Sequence, residues 1–494
     1  MSHKRVARSL ATLPAWPEGD VVMFSLVDPQ PAYDCSGPRR REFLKVGALG
    51  LGGLALPQWL AAQAFAGSKS GGSYVRDKAV VVLFLQGGPS HIEFFDPKMT
   101  AGSEIRSITG ETATRLPGVT FGGTFTRLAE MTDRFSVVRS YGSRNSGHEY
   151  LDVMSARNPM KAAMGAIYAR VAGANHPDSG IPRNLLLLPE AVQDGLKLKG
   201  NFETGALGTL TAPGDLGPTC EAFNPAGGGS LRKDMEIKVA PQRLDDRRNL
   251  LSQLDGIKRQ LDGARAVEGS NKYQQQAFDV ILGGVSKAFD LSREDSRTIE
   301  KYDTSGLFDM ADVNHWYDQH RSTNLLGRQM LLARRLVEHG CGFVTVSDCG
   351  WDMHANGNSP KHMANMAPLT RQVDHAVAAF LQDLHERGLS EKVLLVVTGE
   401  MGRSPKLNRD GGRDHYGELT PLLVAGGGLK MGQVIGQSDR QAARAITEPY
   451  GPQHLLGTMM HVLFDLGKMR LDSGVPRAIN QFAEKCEPIG PLVV

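Results

Sequence analysis

Five short apolar runs along the chain predict the strands of a buried sheet. They cover Ala79 to Leu85, Asn184 to Leu188, Gly342 to Ser347, Val393 to Thr398 and Pro421 to Ala425. Each run is rich in Val, Leu or Phe and shows no polar face, as is typical of strands that are covered on both sides in a mostly parallel sheet.

A helix is predicted between two of these runs, because one apolar stripe at helical spacing is formed by Leu369, Val373, Val377, Phe380, Leu381 and Leu384. Arg387 and Gly388 then provide a basic last turn and a capping glycine. This alternation of strands and helices predicts an α/β fold, a three-layer αβα sandwich with helices on both faces of the sheet.

A different composition between 201 and 305 predicts an insertion into this fold. Asn201 to Lys238 is rich in Gly, Pro and Thr, and charged helical patterns follow at Pro241 to Ala264 and Tyr273 to Leu291. We interpret 201–305 as a loop and helical insertion rather than an independent domain.

The N-terminal segment predicts an export signal. Arg40-Arg41-Glu42-Phe43-Leu44-Lys45 precedes a glycine-rich apolar run from Val46 to Leu56, and Ala64-Phe65-Ala66 offers a cleavage site. This order is the twin-arginine pattern, and the run is too short to span a membrane. We therefore expect residues 1–66 to be an extension and signal peptide, and 67–494 to be delivered by the twin-arginine export machinery as a periplasmic or secreted domain.

Composition excludes some partners. The formal charge of +3 arises from 56 basic and 53 acidic residues, so neither a nucleic-acid partner nor a polybasic membrane anchor is expected, and no second apolar run is long enough to be a stable membrane span. Four of the five cysteines lie after the leader, and none has the Cys-x-x-Cys spacing of a zinc site. Disulfides and free thiols both remain open.

Polar clusters directly follow three of the predicted strands. In parallel sheets, ligands bind beyond the carboxyl ends of the strands. Carboxylates and imidazoles that converge from separate strand ends are suited to a divalent metal. We therefore predict a metal site formed by Asp352, His354, Glu400, Asp414 and His415. For any one of these residues alone, the alternative is a capping or salt-bridged side chain.

Four motifs in order resemble one family. Gln-Gly-Gly-Pro-Ser-His-x-Glu-x-Phe-Asp-Pro-Lys at 86–98, Gly-Trp-Asp-x-His at 350–354, Gly-Glu-x-Gly-Arg-x-Pro-Lys at 399–406 and Gly-Gly-Arg-Asp-His at 411–415 are similar to the family known as domain of unknown function 1501. That family is in turn similar to the alkaline phosphatase and sulfatase superfamily. The resemblance implies an alkaline phosphatase-like fold, a divalent metal (Zn, Ca, Mg or Mn) and an anionic small-molecule or polysaccharide ester as substrate.

The same resemblance suggests a nucleophile. Residues 153–159 resemble the sulfatase stretch Leu-Thr-Gly-Arg-x-Pro, and counting back by the sulfatase spacing leads to Ser146 at an expected helix entry, with His148 as a candidate substrate contact. A metal would lower the pKa of such a hydroxyl for attack on phosphorus or sulfur. The alternative is that Ser146 is a helix N-cap and that His148 faces solvent or the core.

The chain also departs from the superfamily. An aspartate usually follows the first strand, where this chain has Gln86-Gly87-Gly88, and a later Asp-His is replaced by Glu400-Met401. The sulfatase cysteine is absent. One metal position is therefore lost or rebuilt, with Ser90, His91 and Asp96 as candidates for the rebuilding.

Three basic residues near the predicted metal site are candidates for binding the substrate oxygens: Arg403, Lys406 and Arg413. The alternative is that they pair with Asp410 and Glu418 at the surface. The leading hypothesis is an exported, metal-dependent hydrolase of phosphate or sulfate esters. Its rival is a non-catalytic periplasmic or surface binding protein with a degenerate hydrolase site. Transferase chemistry would use the same residues with an acceptor other than water.

Overall fold

The computed structural model describes residues 74–193, 195–196, 205–226, 285–310, 322–355 and 362–493. Every described residue lies in one compact unit, Ala64–Val494. The predicted leader, its cleavage site and the helical pattern at Pro241 to Ala264 lie outside the described residues. The export signal and the insertion at 201–305 stay predictions.

A seven-stranded sheet forms the centre of the described structure. The strands are β1 Ala79–Gln86, β2 Glu111–Ala113, β3 Thr120–Gly122, β4 Ser136–Val138, β5 Asn184–Leu187, β6 Phe343–Cys349, β7 Val393–Thr398, β8 Gly402–Arg403, β9 His415–Tyr416, β10 Leu423–Gly426 and β11 Val434–Ile435. The sheet order is β11-β4-β10-β7-β1-β6-β5, while β2-β3 and β8-β9 are separate ribbons. Within this sheet β10 runs antiparallel to both neighbours, and the other pairings are parallel.

All five predicted strands are confirmed, as β1, β5, β6, β7 and β10. Every residue of β1, β6 and β7 is buried, because these three neighbouring strands are covered on both faces. This double covering explains why their sequences show apolar runs rather than alternation.

Helices pack against both faces of the sheet. They are α1 His91–Phe94, α2 Thr126–Ala129, α3 Tyr150–Ser155, α4 Met164–Ala172, α5 Leu207–Leu210, α6 Val285–Phe289, α7 Ser296–Tyr302, α8 Leu326–Glu338, α9 Ala367–Glu386, α10 Pro452–Leu463, α11 Leu466–Met469, α12 Arg477–Lys485 and α13 Gly490–Val493. Short 3-10 turns lie at Pro189–Ala191, Gly214–Leu216, Pro218–Cys220, Leu291–Arg293 and Met363–Met366.

Alternate side chains of β1 divide between two apolar cores, as period-two geometry requires. Val81, Leu83 and Leu85 join the core that contains α8 and α9. Val80, Val82 and Phe84 join the core that contains α4 and α10. The predicted three-layer αβα architecture with a mostly parallel central sheet is confirmed.

The predicted helix before β7 is α9, and Gly388 ends it in the left-handed region at φ +68°. The predicted helical pattern at Tyr273 to Leu291 is confirmed where the structure describes it, since α6 spans Val285–Phe289. Cys220, Cys341, Cys349 and Cys486 are buried free thiols. No helix among the described residues is both long and apolar enough to cross a bilayer.

The sheet order determines where the polar clusters meet. β7, β1 and β6 are adjacent and parallel, so the segments that follow Thr398, Gln86 and Cys349 leave the sheet at one edge. β10 runs the opposite way, so the segment that leads into it from His415 arrives at this same edge. This arrangement brings the predicted site residues together.

Candidate metal centre

Three imidazoles surround the carboxylate of Asp352. His354 Nε2 lies 3.0 Å and His415 Nε2 3.1 Å from Asp352 Oδ1. His148 Nε2 lies 3.9 Å from Asp352 Oδ2. The histidine rings also touch one another, because the centroid of the His415 ring is 4.6 Å from those of His148 and His354.

The opposite nitrogen of each imidazole contacts an acceptor. His148 Nδ1 is 2.8 Å from Glu400 Oε1, His354 Nδ1 is 3.2 Å from Asp414 Oδ1, and His415 Nδ1 is 3.1 Å from the carbonyl oxygen of Ser146. A carbonyl oxygen only accepts, so Nδ1 of His415 carries the hydrogen and, in the neutral ring, Nε2 presents a lone pair. This backing by carboxylates and a carbonyl is the arrangement that orients histidine ligands in metal sites.

Two features of the site fit a bound cation. In the neutral ring, the Nε2 lone pair of His415 faces a carboxylate oxygen only 3.1 Å away, which is unfavourable unless a proton or a cation lies between them. Glu400 is fully buried, and its Oε2 has no hydrogen-bond partner, which is costly for a buried carboxylate. The donor set of this region therefore fits a metal ion.

One set of three side chains is close enough to share such an ion. Single ligand atoms of His148, Asp352 and His415 all lie within 4.8 Å of one another. With ligand distances of about 2.0 Å, the ligand atoms of a tetrahedral ion are about 3.3 Å apart. His415 Nε2 lies 3.1 Å from Asp352 Oδ1, and His148 Nε2 lies 3.9 Å from the other oxygen, Oδ2, so both distances are near this value. Two imidazoles and one carboxylate are donors suited to zinc and related transition metals rather than to calcium or magnesium.

Glycine is required at Gly87, which holds Glu400 and Asp352 in place. The Gly87 N–H donates to Glu400 Oε1 at 2.9 Å, and the residue has a left-handed φ of +112°. A Cβ atom here would lie 2.4 Å from the Asp352 nitrogen. The Gln-Gly-Gly motif therefore allows the segment after β1 to pack directly against the segment that carries Asp352.

The loop before α3 carries His148 and Ser146. Asn145 stabilises this loop, since its Oδ1 accepts from the Gly147 N–H at 2.8 Å and its Nδ2 donates to the Glu149 carbonyl at 3.0 Å. α3 begins at Tyr150, with Glu149 at its N-cap position. The expected helix entry at Ser146, and the alternative N-cap role, are both wrong, because the helix starts four residues later. Ser146 is exposed, two residues from His148.

Hydrogen bonds and charge shift the pKa values within the site. Burial, the largest contribution, raises the pKa of Asp352, but its close contacts with His354 and His415 and the charge of Arg403 together hold it well below its usual range. The hydrogen bond to Asp352 raises the pKa of His354. The hydrogen bond from Asn408 lowers the pKa of Asp414. Asp352 is therefore ionised, as a metal ligand must be.

The predicted metal residues thus take different places in one connected cluster. Asp352 and His415 belong to the set of three, and His148, predicted as a substrate contact, completes it. Glu400 contacts His148 from behind, and Asp414 contacts His354 from behind.

The predicted substrate-binding cations lie in different surroundings. Arg413 is fully buried and contacts Glu93 at 3.2 Å and the Ile105 carbonyl at 2.9 Å. Its alternative pairing with Asp410 and Glu418 is wrong, since those carboxylates pair with Arg409 and Arg144. Arg403 is also fully buried, and its guanidinium contacts Asp352. Lys406 is exposed.

The additional candidates make their described contacts elsewhere. Ser90 caps α1, and its Oγ accepts from the Glu93 N–H. His91 Nε2 is 2.9 Å from the Ala442 carbonyl, and burial lowers the pKa of His91 to about 4. Asp96 pairs with Lys98 and receives a hydrogen bond from Ser438.

Some supporting residues were missed by the sequence reasoning. Asn408 donates to Asp414 Oδ1 at 3.0 Å and to the His354 carbonyl at 2.9 Å. Trp351 is fully buried, and its Nε1 donates to Asp348 Oδ2 at 2.8 Å. Burial raises the pKa of Asp348 to about 7. Both Asn408 and Trp351 lie within or between the quoted motifs, which was the available signal for them.

A cavity of about 490 Å³ opens beside the cluster. It is lined by His354, Asn408, Arg409, Asp410 and Asp414. His354 therefore contacts Asp352 on one side and this cavity on the other. The cavity gives a small polar ligand a route to the edge of the cluster.

Comparison with known proteins gives a family and a set of remote structures. The model of the family described as "Protein of unknown function (DUF1501)" matches residues 77–469. No curated protein matches the chain.

Three solved structures illustrate the remote matches. A sulfatase from Pseudoalteromonas sp. is 13% identical over 86% of this chain and 72% of its own, with a TM-score of 0.32. The lipoteichoic acid synthase LtaP from Listeria monocytogenes is 9% identical over 81% and 74%, with a TM-score of 0.32. A phosphonate monoester hydrolase from Silicibacter pomeroyi is 10% identical over 84% and 76%, with a TM-score of 0.31. Similarity at this level supports no statement about activity.

Proposed function

The chain belongs to the family described as protein of unknown function DUF1501, and we propose that it is a metal-dependent hydrolase of phosphate or sulfate esters. The observation that carries this proposal is the group His148, Asp352 and His415, whose ligand atoms converge within 4.8 Å. Convergent titratable groups that include a buried carboxylate with a perturbed pKa, here Asp352, are characteristic of functional sites. The resemblance of the motifs to the alkaline phosphatase and sulfatase superfamily supplies the ester class.

His148, Asp352 and His415 are the residues that would hold the ion, which we propose to be zinc or a related transition metal. When bound, such an ion supplies Lewis-acid stabilisation of the charge that develops on the ester oxygens. Glu400 and the Ser146 carbonyl orient the two histidines, through contacts of 2.8 and 3.1 Å.

Ser146 is the proposed nucleophile. Its side chain is exposed at the edge of the cluster, and its own carbonyl contacts the ligand His415. In this reaction a bond forms between Ser146 Oγ and the phosphorus or sulfur atom, while the bond to the leaving oxygen breaks. The hydroxyl proton passes to a base, and water later releases the serine ester.

One observation favours a second candidate, a metal-containing binding protein without turnover. Arg403 and Arg413, the two arginines expected to neutralise ester oxygens, are both fully buried. The guanidinium of Arg413 donates to Glu93 and to backbone carbonyls. The third cation predicted for substrate binding, Lys406, is exposed and therefore accessible to an anionic ligand.

Metal analysis and ester hydrolysis together test both candidates. The purified full chain should contain a transition metal and hydrolyse p-nitrophenyl phosphate or p-nitrophenyl sulfate. His415→Ala should lose metal and activity together. Ser146→Ala should keep the metal and lose rate by a factor on the order of 10³ or more. The matched control is His385→Ala, which removes an exposed imidazole on α9.

Different results separate the candidates. Metal without turnover of either ester supports the binding protein. Full activity in Ser146→Ala rejects this serine as nucleophile, and a metal-free wild-type chain rejects the proposed hydrolase.

We also propose that the protein acts in the periplasm or outside the cell. The proposal rests on the Arg40-Arg41 motif and the small residues at Ala64 and Ala66. Replacing both arginines by lysine in the native host should retain the uncleaved chain in the cytoplasm. Unchanged export of this variant would contradict the twin-arginine assignment.

A further inference from the structure

The guanidinium of Arg403 is surrounded by hydrogen-bond partners from the chain. Its Nε donates to the Gly88 carbonyl at 2.8 Å, and its Nη1 contacts His354 Nε2 at 3.3 Å and the Arg413 carbonyl at 3.2 Å. Its Nη2 donates to the Gly87 carbonyl and to Asp352 Oδ1, the latter at 2.5 Å. A guanidinium has five N–H groups; four of them donate to oxygen acceptors, and the fifth points towards the His354 ring. The charge of Arg403 is thus directed at Asp352 rather than at a substrate.

Backbone geometry fixes this position. Arg403 in β8 pairs directly with the ligand His415 in β9, so one ribbon carries the guanidinium and a metal-site imidazole. The carbonyls of Gly87 and Gly88 face the guanidinium, and both glycines have left-handed φ values. A Cβ atom at Gly88 would lie 2.5 Å from Met401 Cγ. The Gln-Gly-Gly segment therefore forms a specific cradle for a buried cation.

The guanidinium occupies one oxygen of the central carboxylate. Asp352 Oδ1 lies 2.5 Å from Arg403 Nη2, 3.0 Å from His354 Nε2 and 3.1 Å from His415 Nε2. The other oxygen, Oδ2, lies 3.9 Å from His148 Nε2. A carboxylate that bridges two metal ions presents one oxygen to each. Here the first oxygen already faces a fixed positive charge.

The charge of the cluster leads to the same conclusion. The buried carboxylates of Asp352 and Glu400 and the 63% exposed carboxylate of Asp414 contribute three negative charges, and Arg403 contributes one positive charge, which gives −3 + 1 = −2 when the three imidazoles are neutral. One divalent ion balances this charge. A second divalent ion would leave an excess of +2 in a partly buried cluster, which is disfavoured without counter-charges.

We infer that Arg403 is a positioning residue that supplies the second positive charge of the site, so that the chain binds a single divalent ion at His148, Asp352 and His415. This inference rests on the proposed function for the presence of a metal. In this inference Arg403 pairs with Asp352 instead of with the substrate, and the Gln-Gly-Gly segment holds its guanidinium in place.

Metal stoichiometry tests the inference independently of turnover. The full chain is stripped with a chelator, titrated with Zn²⁺ by calorimetry, and checked by elemental analysis after gel filtration. The wild type should bind one ion per chain. Arg403→Lys keeps the charge, so it should also bind one ion, with affinity within the 10- to 100-fold loss typical when a supporting contact is altered. Arg403→Met removes the charge and should take up a second ion.

Each result decides between specific statements. Two ions in the wild type or in Arg403→Lys would overturn the inference while leaving the metal-dependent hydrolase intact. No ion in the wild type would reject the proposed function itself, and the inference with it. One ion in a folded Arg403→Met chain, as judged by circular dichroism, would show that Arg403 is not what excludes a second ion. If Arg403→Met fails to fold, the wild type and Arg403→Lys decide.

Discussion

Two clusters of charged side chains in this molecule, each built around a buried residue, differ in how their charges are balanced. The Arg334 cluster consists of Arg334, Arg335, Arg387, Glu294, Glu338 and Asp383. The Asp352 cluster consists of Asp352, Glu400, Asp414, Arg403, His148, His354 and His415. The first cluster is balanced within the chain, whereas the second has a negative excess.

In the Arg334 cluster each charge meets its opposite. Arg334 is 1% exposed and contacts Glu294 at 2.7 Å, Glu338 at 2.8 Å and Asp383 at 2.8 Å. Arg335 and Arg387 provide two further positive charges against the same three carboxylates. The cluster joins the segment around Glu294 to α8 and α9. Three cations and three anions leave no place for a ligand.

In the Asp352 cluster the acceptors converge instead. The net charge of the cluster is −2, and three of its ligand atoms lie within 4.8 Å of one another. Balancing this charge needs a further cation, and no described cation of the chain provides it. Burial and perturbed pKa values alone do not distinguish a site from a structural network. A net charge that the chain does not balance, together with converging lone pairs, distinguishes the Asp352 cluster from a structural network.

The largest expected effect comes from unbalancing the Arg334 cluster. Arg334→Met keeps most of the side-chain volume but leaves Asp383 and Glu294, which are 2–8% exposed, short of a cation. Removing one partner of a buried ion pair typically costs about 3–5 kcal/mol, so the free energy of unfolding should fall by that amount in urea titrations. Arg409→Met is the control, since Arg409 is 92% exposed and should change stability by less than about 0.5 kcal/mol. A similarly small loss in Arg334→Met would mean that the network adds nothing to stability.

Metal should produce the next largest effect, and in the Asp352 cluster alone. Zinc at 100 times its Kd should stabilise the wild type by about 2.7 kcal/mol, because it binds the folded chain. Asp352→Asn should lose this gain. Without metal the variant should be less stable than the wild type, because the buried guanidinium of Arg403 loses the carboxylate that it faces. Thermal unfolding with zinc and with chelator measures both the stabilisation by zinc and the stability of the metal-free chain. An equal zinc gain in the variant would place the ion elsewhere.

The sequence predicted the fold well for a physical reason. Runs such as Ala79 to Leu85 are apolar throughout because both faces of the central strands are covered. Strands without such runs were missed: β4 spans three residues, Ser136–Val138, and β11 two residues, Val434–Ile435. Strands this short leave too little periodicity to detect.

The sequence indicated several residues of the Asp352 cluster but not their arrangement. Asp352, Glu400 and His415 follow or precede strands that the sheet order makes neighbours, so strand ends alone indicated them. His148 lies in a loop before α3, far from any predicted strand end. Only the three-dimensional packing shows that its ring bridges Glu400 and the edge of Asp352.

Arg403 and Arg413 illustrate a second limit. Both are surrounded by glycine and polar residues in the sequence, which indicates an exposed loop, yet both are fully buried. Their burial depends on backbone carbonyls from Gly87, Gly88 and Ile105, and no side-chain pattern encodes such acceptors. The sequence therefore suggested that the two arginines contact substrate, whereas in the structure they contact buried groups of the chain itself.

The smallest expected effect concerns the pH dependence of the metal-free chain. The hydrogen bond to Asp352 raises the pKa of His354 above its ordinary value of about 6.5. A raised folded-state pKa stabilises the protein fully below the unfolded value, and this contribution is lost as pH rises through the folded value. The wild type in chelator should therefore lose stability from about pH 6.5 upward, by less than the ~1 kcal/mol typical of partly exposed ion pairs. His354→Gln should be flat over this window, whereas His385→Gln, which changes an exposed imidazole, should follow the wild type. Parallel curves for wild type and His354→Gln in thermal unfolding from pH 5 to 9 would show that His354 and Asp352 do not form an ion pair, and the metal-free Asp352 cluster would then have to be stabilised through Arg403 alone.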